Sequence, residues 1–86
     1  MVRELDGWRL TGKAIEKEFT FAAFPEAVAF VTRLMPYAEA ADHHPEIAIN
    51  YRRVTLTYRT HSAGGLTQKD LAGARMADRV ASEKTV

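Results

Sequence analysis

The chain has 86 residues, 47% of them hydrophobic and 27% charged, with 5 glycines, 3 prolines and no cysteine. That length supports one core in a single domain, residues 1–86, and the composition excludes a disordered tail, a collagen-like repeat, a disulfide framework and a thiolate metal cluster. A formal charge of +1 lacks the basic excess of a dedicated nucleic-acid binder, so no direct nucleic-acid contact is expected.

At residues 7–10, Trp8 and Leu10 take alternate positions, the pattern of a short strand. Thr11-Gly12-Lys13 is a turn signal. Residues 15–21 then alternate again, with Ile15, Phe19 and Phe21 sharing one face with the Lys17 stem, which predicts a first hairpin. From Phe24 the period changes. Phe24, Ala27, Val28, Val31, Leu34, Met35 and Ala38 recur at spacings of three and four, one face of a helix. This most apolar stretch carries Pro25, Glu26, Thr32 and Arg33, too polar to span a bilayer, and the start of the chain has no signal-peptide core. A cytoplasmic protein without membrane contact is therefore expected. Pro36 removes a backbone donor, so the helix is expected either to stop near Met35 and restart or to kink.

After Asp42-His43-His44-Pro45 the period returns to two. Ile47, Ile49 and Tyr51 form one run and Val54, Leu56 and Tyr58 the next, joined over residues 50–53 as a second hairpin. A Ser62-Ala63-Gly64-Gly65 loop precedes a helix over residues 67–82. The order β-β-α-β-β-α predicts an α+β fold: a four-stranded antiparallel sheet with two helices packed on one face, the other face left open. Leu71, Ala72, Gly73, Ala74, Met76, Ala77, Val80 and Ala81 cover more of the last helix than one sheet face buries. At this size only about 60% of the unfolded chain's surface can be buried, so a homo-oligomer is expected.

His43, His44 and His61 all lie at element boundaries. Any one of them alone reads as a polar loop residue. Three together, with strands that bring loop ends to one sheet edge, point to general acid–base chemistry, because imidazoles titrate near neutrality. A zinc site fits less well, since adjacent histidines rarely converge on one metal and no His-x-His or His-Glu-x-x-His spacing is present. Ser62 beside His61 lacks a nucleophile elbow. Thr67-Gln68-Lys69-Asp70 matches a capping box, yet Asp70 also falls in the apolar arc beside Ala74 and Ala77, so capping can coexist with a second job. Glu39, one turn before His43, is equally readable as an imidazole-orienting carboxylate or a solvated helix residue. Trp8, Phe19, Phe21, Tyr51 and Tyr58 read as core, and Arg52, Arg53 and Arg59 as a solvated strand face.

The run Glu39-x3-His43-His44-Pro45-Glu46-Ile47, then Tyr51, Thr60-His61, Gly65-Leu66-Thr67 and Asp70, resembles the pterin-4a-carbinolamine dehydratase family. Gly7-Trp8 with Leu10, Ile15 with Phe19 and Phe21, and Phe24 with Glu26-Ala27 and Phe30 extend the resemblance along nearly the whole chain. Pro36, Ile47 and the absence of a short helix before Gly7-Trp8 depart from the family's pattern. The resemblance implies a lyase that removes water from 4a-hydroxytetrahydropterin to give quinonoid dihydropterin in tetrahydrobiopterin recycling, with no cofactor or metal. It implies that His43, His44 and His61 carry the proton transfers. Asp42, Thr60 and Ser62 would contact substrate, and Glu39 and Asp70 would orient or polarise the histidines. It further implies a homotetramer built as a dimer of dimers. The alternative it brings is a non-catalytic binding module, a dimerisation cofactor or assembly factor for a protein partner.

Overall fold

A computed structural model describes residues 7–60 and 65–82. Within them the chain runs β1 (Arg9–Thr11), β2 (Ala14–Thr20), α1 (Phe24–Ala41), β3 (Glu46–Asn50), β4 (Arg53–Tyr58) and α2 (Gln68–Ser82), the α+β order expected from the changes of period. The strands form one antiparallel sheet in the order β1-β2-β4-β3. Gly12 turns the first hairpin at φ +62°, a conformation glycine adopts without steric cost. The second hairpin turns at Tyr51 and Arg52 without glycine, and Tyr51 itself takes φ +58°.

Register decides which side chains meet the helices. Ile15 lies opposite Tyr58, Lys17 opposite Leu56 and Phe19 opposite Val54, so the apolar residues of the two central strands share one face. Both helices cover that face: Ala27, Phe30 and Leu34 of α1 and Leu71, Ala74, Ala77 and Val80 of α2 enter the same core cluster. Trp8 joins it, with its indole N–H donating to Asp78 of α2 at 3.0 Å. Asp78 also accepts from Lys17 at 2.8 Å, which ties α2 to β2 and to the residue just before β1.

Two expectations are corrected. First, of the stop or kink expected at Pro36 the stop does not occur: α1 runs through Pro36 as one element of 18 residues. Pro36 and Thr32, whose carbonyl loses its usual partner, are both exposed, so water can take the missing donor's place. Second, Tyr51 is 65% exposed rather than core, because its place in the turn carries it off the sheet. Leu10, Ile47 and Ile49 face the helix side of the sheet but lie on its edge strands and stay exposed. Of the apolar arc of α2, Leu71, Ala74, Ala77 and Val80 are buried in the subunit, Gly73, Met76 and Ala81 are half-buried and Ala72 is exposed, so part of the arc stays uncovered as expected. Among the described residues the exposed large apolar side chains belong to β1, α1, β3 and the Tyr51 turn, not to α2. No described helix is long and apolar enough to cross a membrane.

Candidate active site

The C-terminus of α1 and the N-terminus of α2 meet beside the end of β4, and local backbone chemistry sets both helix ends. Asp42 closes α1 in the left-handed conformation, φ 53°. The amide of Asp42 donates to the Glu39 carbonyl and that of His43 to the Ala38 carbonyl, each at 3.2 Å, which satisfies orphan carbonyls of the last turn. Pro45 cannot continue a helix, so the pair His43-His44 leaves α1 at a fixed angle. Asp42, expected at the substrate, caps the helix through its backbone.

At the other helix the capping box forms. The Thr67 amide donates to Asp70 Oδ2 at 2.9 Å, while the Thr67 hydroxyl accepts from the Lys69 amide at 3.2 Å. Asp70 does more than cap. Its side chain is fully buried, and Oδ2 also accepts the Thr60 hydroxyl at 2.6 Å, while Oδ1 accepts His43 Nε2–H at 2.6 Å. Burial pushes the Asp70 carboxyl up, but the hydrogen bonds from Thr60, His43 and the Thr67 amide outweigh it and hold the group below its usual range. The carboxylate is therefore ionised at neutral pH. An ionised carboxylate only accepts, so the proton on Nε2 belongs to His43.

His44 has a different partner. Its Nε2 lies 2.6 Å from Glu39 Oε2, with the two side chains 52% and 69% exposed. The turn at Asp42 is the reason that Glu39 reaches His44 and not His43. Thr60, read as a substrate contact, gives its hydroxyl to Asp70 and in turn lies 3.0 Å from the Thr67 hydroxyl. His61 and Ser62 lie outside the described residues.

Tyr58 enters the site although its sequence pattern marks it only as core. Its ring is 2% exposed and stacks on the His43 imidazole, with centroids 6.0 Å apart and planes 26° apart. Burial, followed by the charge of Asp70, pushes its hydroxyl up to about 12, so it stays protonated. His43 and Tyr58 form part of the wall of a cavity of about 410 Å³ between the two helices, together with Leu34, Tyr37, Ala38 and Met76. No periodicity signals this cavity, because its walls come from three separate elements. A mostly apolar cavity with an anchored imidazole in its wall is the arrangement expected of a small-molecule site.

Comparisons with known proteins identify the family and the fold. The family model described as pterin 4 alpha carbinolamine dehydratase matches residues 1–80. A protein of Roseiflexus sp. (strain RS-1), provisionally named pterin-4-alpha-carbinolamine dehydratase, is 49% identical over 77 residues, covering 90% of this chain and 83% of its own. A second with the same provisional name, from Chloroflexus aurantiacus (strain ATCC 29366 / DSM 635 / J-10-fl), is 51% identical over 73 residues, covering 85% and 78%. The crystal structure of a transcriptional coactivator/pterin dehydratase from Brucella melitensis superposes with a TM-score of 0.91 at 40% identity, over 94% of this chain and 88% of that one. A pterin dehydratase-like protein identified as a RuBisCO assembly factor in the alpha-carboxysome shares the fold, with a TM-score of 0.71 at 22% identity over 90% and 89%.

Proposed function

This chain belongs to the pterin 4 alpha carbinolamine dehydratase family, and we propose that it is a hydro-lyase converting a 4a-hydroxytetrahydropterin to the quinonoid dihydropterin. The observation that carries this reading is the buried Asp70 carboxylate on His43 Nε2, beside a cavity between the helices. With Nε2 committed, Nδ1 is the nitrogen of His43 left without a hydrogen-bond partner among the described residues. That nitrogen is the one free to exchange a proton with a substrate.

The reaction needs one proton delivered and one removed. The lone pair on N5 forms the C4a=N5 double bond as the C4a–O bond breaks. A general acid protonates the departing hydroxide, which leaves as water, and the N5–H proton passes to a general base. Catalyst protonation is restored over the cycle, and no redox partner is required. His43 working at Nδ1, with His61 as the second main group and His44 assisting, supplies both roles. The Asp70 carboxylate fixes the tautomer of His43 and stabilises its imidazolium form whenever it carries the extra proton.

A second reading, a non-catalytic binding module, draws on the exposed Phe24, Val28, Met35 and Tyr37 of α1 and Ile47 and Ile49 of β3. The same side chains suit a homo-oligomer, the assembly proposed with the enzyme reading. The deciding experiment follows dehydration of chemically generated carbinolamine by ultraviolet absorbance. A rate proportional to protein concentration and well above the uncatalysed one supports the lyase. A rate equal to the uncatalysed one moves the weight to the binding module.

A further inference from the structure

Asp70 is not the only position of α2 that bears on His43. Gly73 follows it by three residues on the same helix face. A Cβ built on Gly73 would lie 2.5 Å from Cε1, 2.9 Å from Cζ and 3.0 Å from Cδ1 of Tyr58. Atoms of two side chains do not approach so closely, so the Tyr58 ring occupies the space where any other residue at 73 would carry its first side-chain carbon. The glycine is not there for its backbone freedom, since its φ is not in the left-handed region. A glycine inside a helix costs stability relative to alanine. Here that cost coincides with a specific contact.

The Tyr58 ring, seated over this bare stretch of backbone, has Trp8 on one side at 5.9 Å and the His43 imidazole stacked on it at 6.0 Å. The two contacts on His43 constrain different motions. The hydrogen bond to Asp70 fixes where Nε2 sits but lets the ring plane rotate about the N–H···O axis. A flat, immobile ring against the imidazole removes that rotation. Tyr58 meets both conditions, because its ring is planar and is buried between Trp8 and the backbone at Gly73.

We infer that Gly73 and Tyr58 are positioning residues for His43: the side-chain-free notch at Gly73 seats the Tyr58 ring as the plane against which the imidazole is held, while Asp70 holds its Nε2. Neither residue exchanges a proton; both act by directing Nδ1. The kinetic part of this inference rests on the dehydratase reading, whereas the orientation of His43 does not.

The test compares Gly73→Ala, Tyr58→Leu, Tyr58→Phe and the double variant Gly73→Ala/Tyr58→Leu at equal folded fraction. Two readouts are taken: kcat and KM for carbinolamine dehydration, and the side-chain ¹⁵N spectrum of His43, which reports its tautomer and hydrogen bond. Misplacing a catalytic group by about 1 Å can cost about 100-fold. Gly73→Ala and Tyr58→Leu are expected to lower kcat by roughly 10–100-fold with KM changed by less than about threefold, and to mix the His43 tautomers. Tyr58→Phe, which keeps the ring, is expected to rescue most of both losses. The double variant is the sharpest arm. It removes the clash, so its thermal midpoint should recover relative to Gly73→Ala, yet its kcat and His43 spectrum should stay impaired. Should Gly73→Ala fail to fold, Tyr58→Leu, which needs no new space, carries the test. Wild-type kcat and an unchanged His43 spectrum in Tyr58→Leu or the double variant would overturn the inference and leave the pair as packing only. A wild-type protein without turnover would overturn the dehydratase reading instead, and the His43 spectra would then decide the positioning role alone.

Discussion

His43 and His44 are neighbours in the chain, and each has a ring nitrogen 2.6 Å from a carboxylate oxygen. By distance alone the two pairs are equivalent. Their surroundings separate them: the side chains of His43 and Asp70 are 13% and 0% exposed, those of His44 and Glu39 52% and 69%. Asp70 also accepts from Thr60 and from the Thr67 amide, so its orientation is set before His43 arrives. The Glu39 side chain makes no other hydrogen bond among the described residues. One pair is a preorganised element of the core boundary. The other is a surface contact that water and salt can replace.

The comparison can be broken by removing either acid. Asp70→Ala strands the donors of Thr60, Thr67 and His43 in a largely buried place, and should cost about 2–4 kcal/mol, read from the shift of a urea midpoint. Acid should discriminate next. The Asp70 carboxyl is depressed in the folded chain, so its stabilisation is complete above the ordinary value of 3.8 and is lost as pH falls through the lower folded value. Asp70→Asn should therefore flatten the acid limb of a stability-versus-pH curve, and an acid limb as steep as that of the wild type would contradict this. The smallest effect belongs to Glu39→Gln itself: no more than about 0.5 kcal/mol in the same urea experiment, and less still at high salt. A loss above about 2 kcal/mol there would erase the distinction.

Much of this arrangement is legible in the chain. The strands follow from strict alternation at Ile15, Phe19, Val54, Leu56 and Tyr58, and the register of β2 on β4 places all five on the covered face. The capping box is legible at Thr67 and Asp70, and the apolar arc around Asp70 signals that its carboxylate lies inward. What is not legible depends on where the chain leaves a helix. The left-handed turn at Asp42 ends the i, i+4 relation, so Glu39 meets His44 rather than His43. Pro36 does not end the helix, because the core contacts of Phe30 and Leu34 hold α1 in place and the exposed position of Thr32 and Pro36 lets water replace the missing donor. The seating of Tyr58 over Gly73 joins two elements with no shared periodicity, and only three-dimensional proximity reveals it.

The most direct measurement sets His43→Ala against His44→Ala in the carbinolamine dehydration assay, at equal folded fraction. A positioned general acid or base contributes about 10²–10⁴-fold, so His43→Ala should lose at least about 100-fold in kcat. His44→Ala, which removes a solvent-exposed imidazole, should lose about tenfold or less. Equal losses in the two variants, or a larger loss for His44, would contradict the claim that the buried Asp70–His43 pair is the working half of the site.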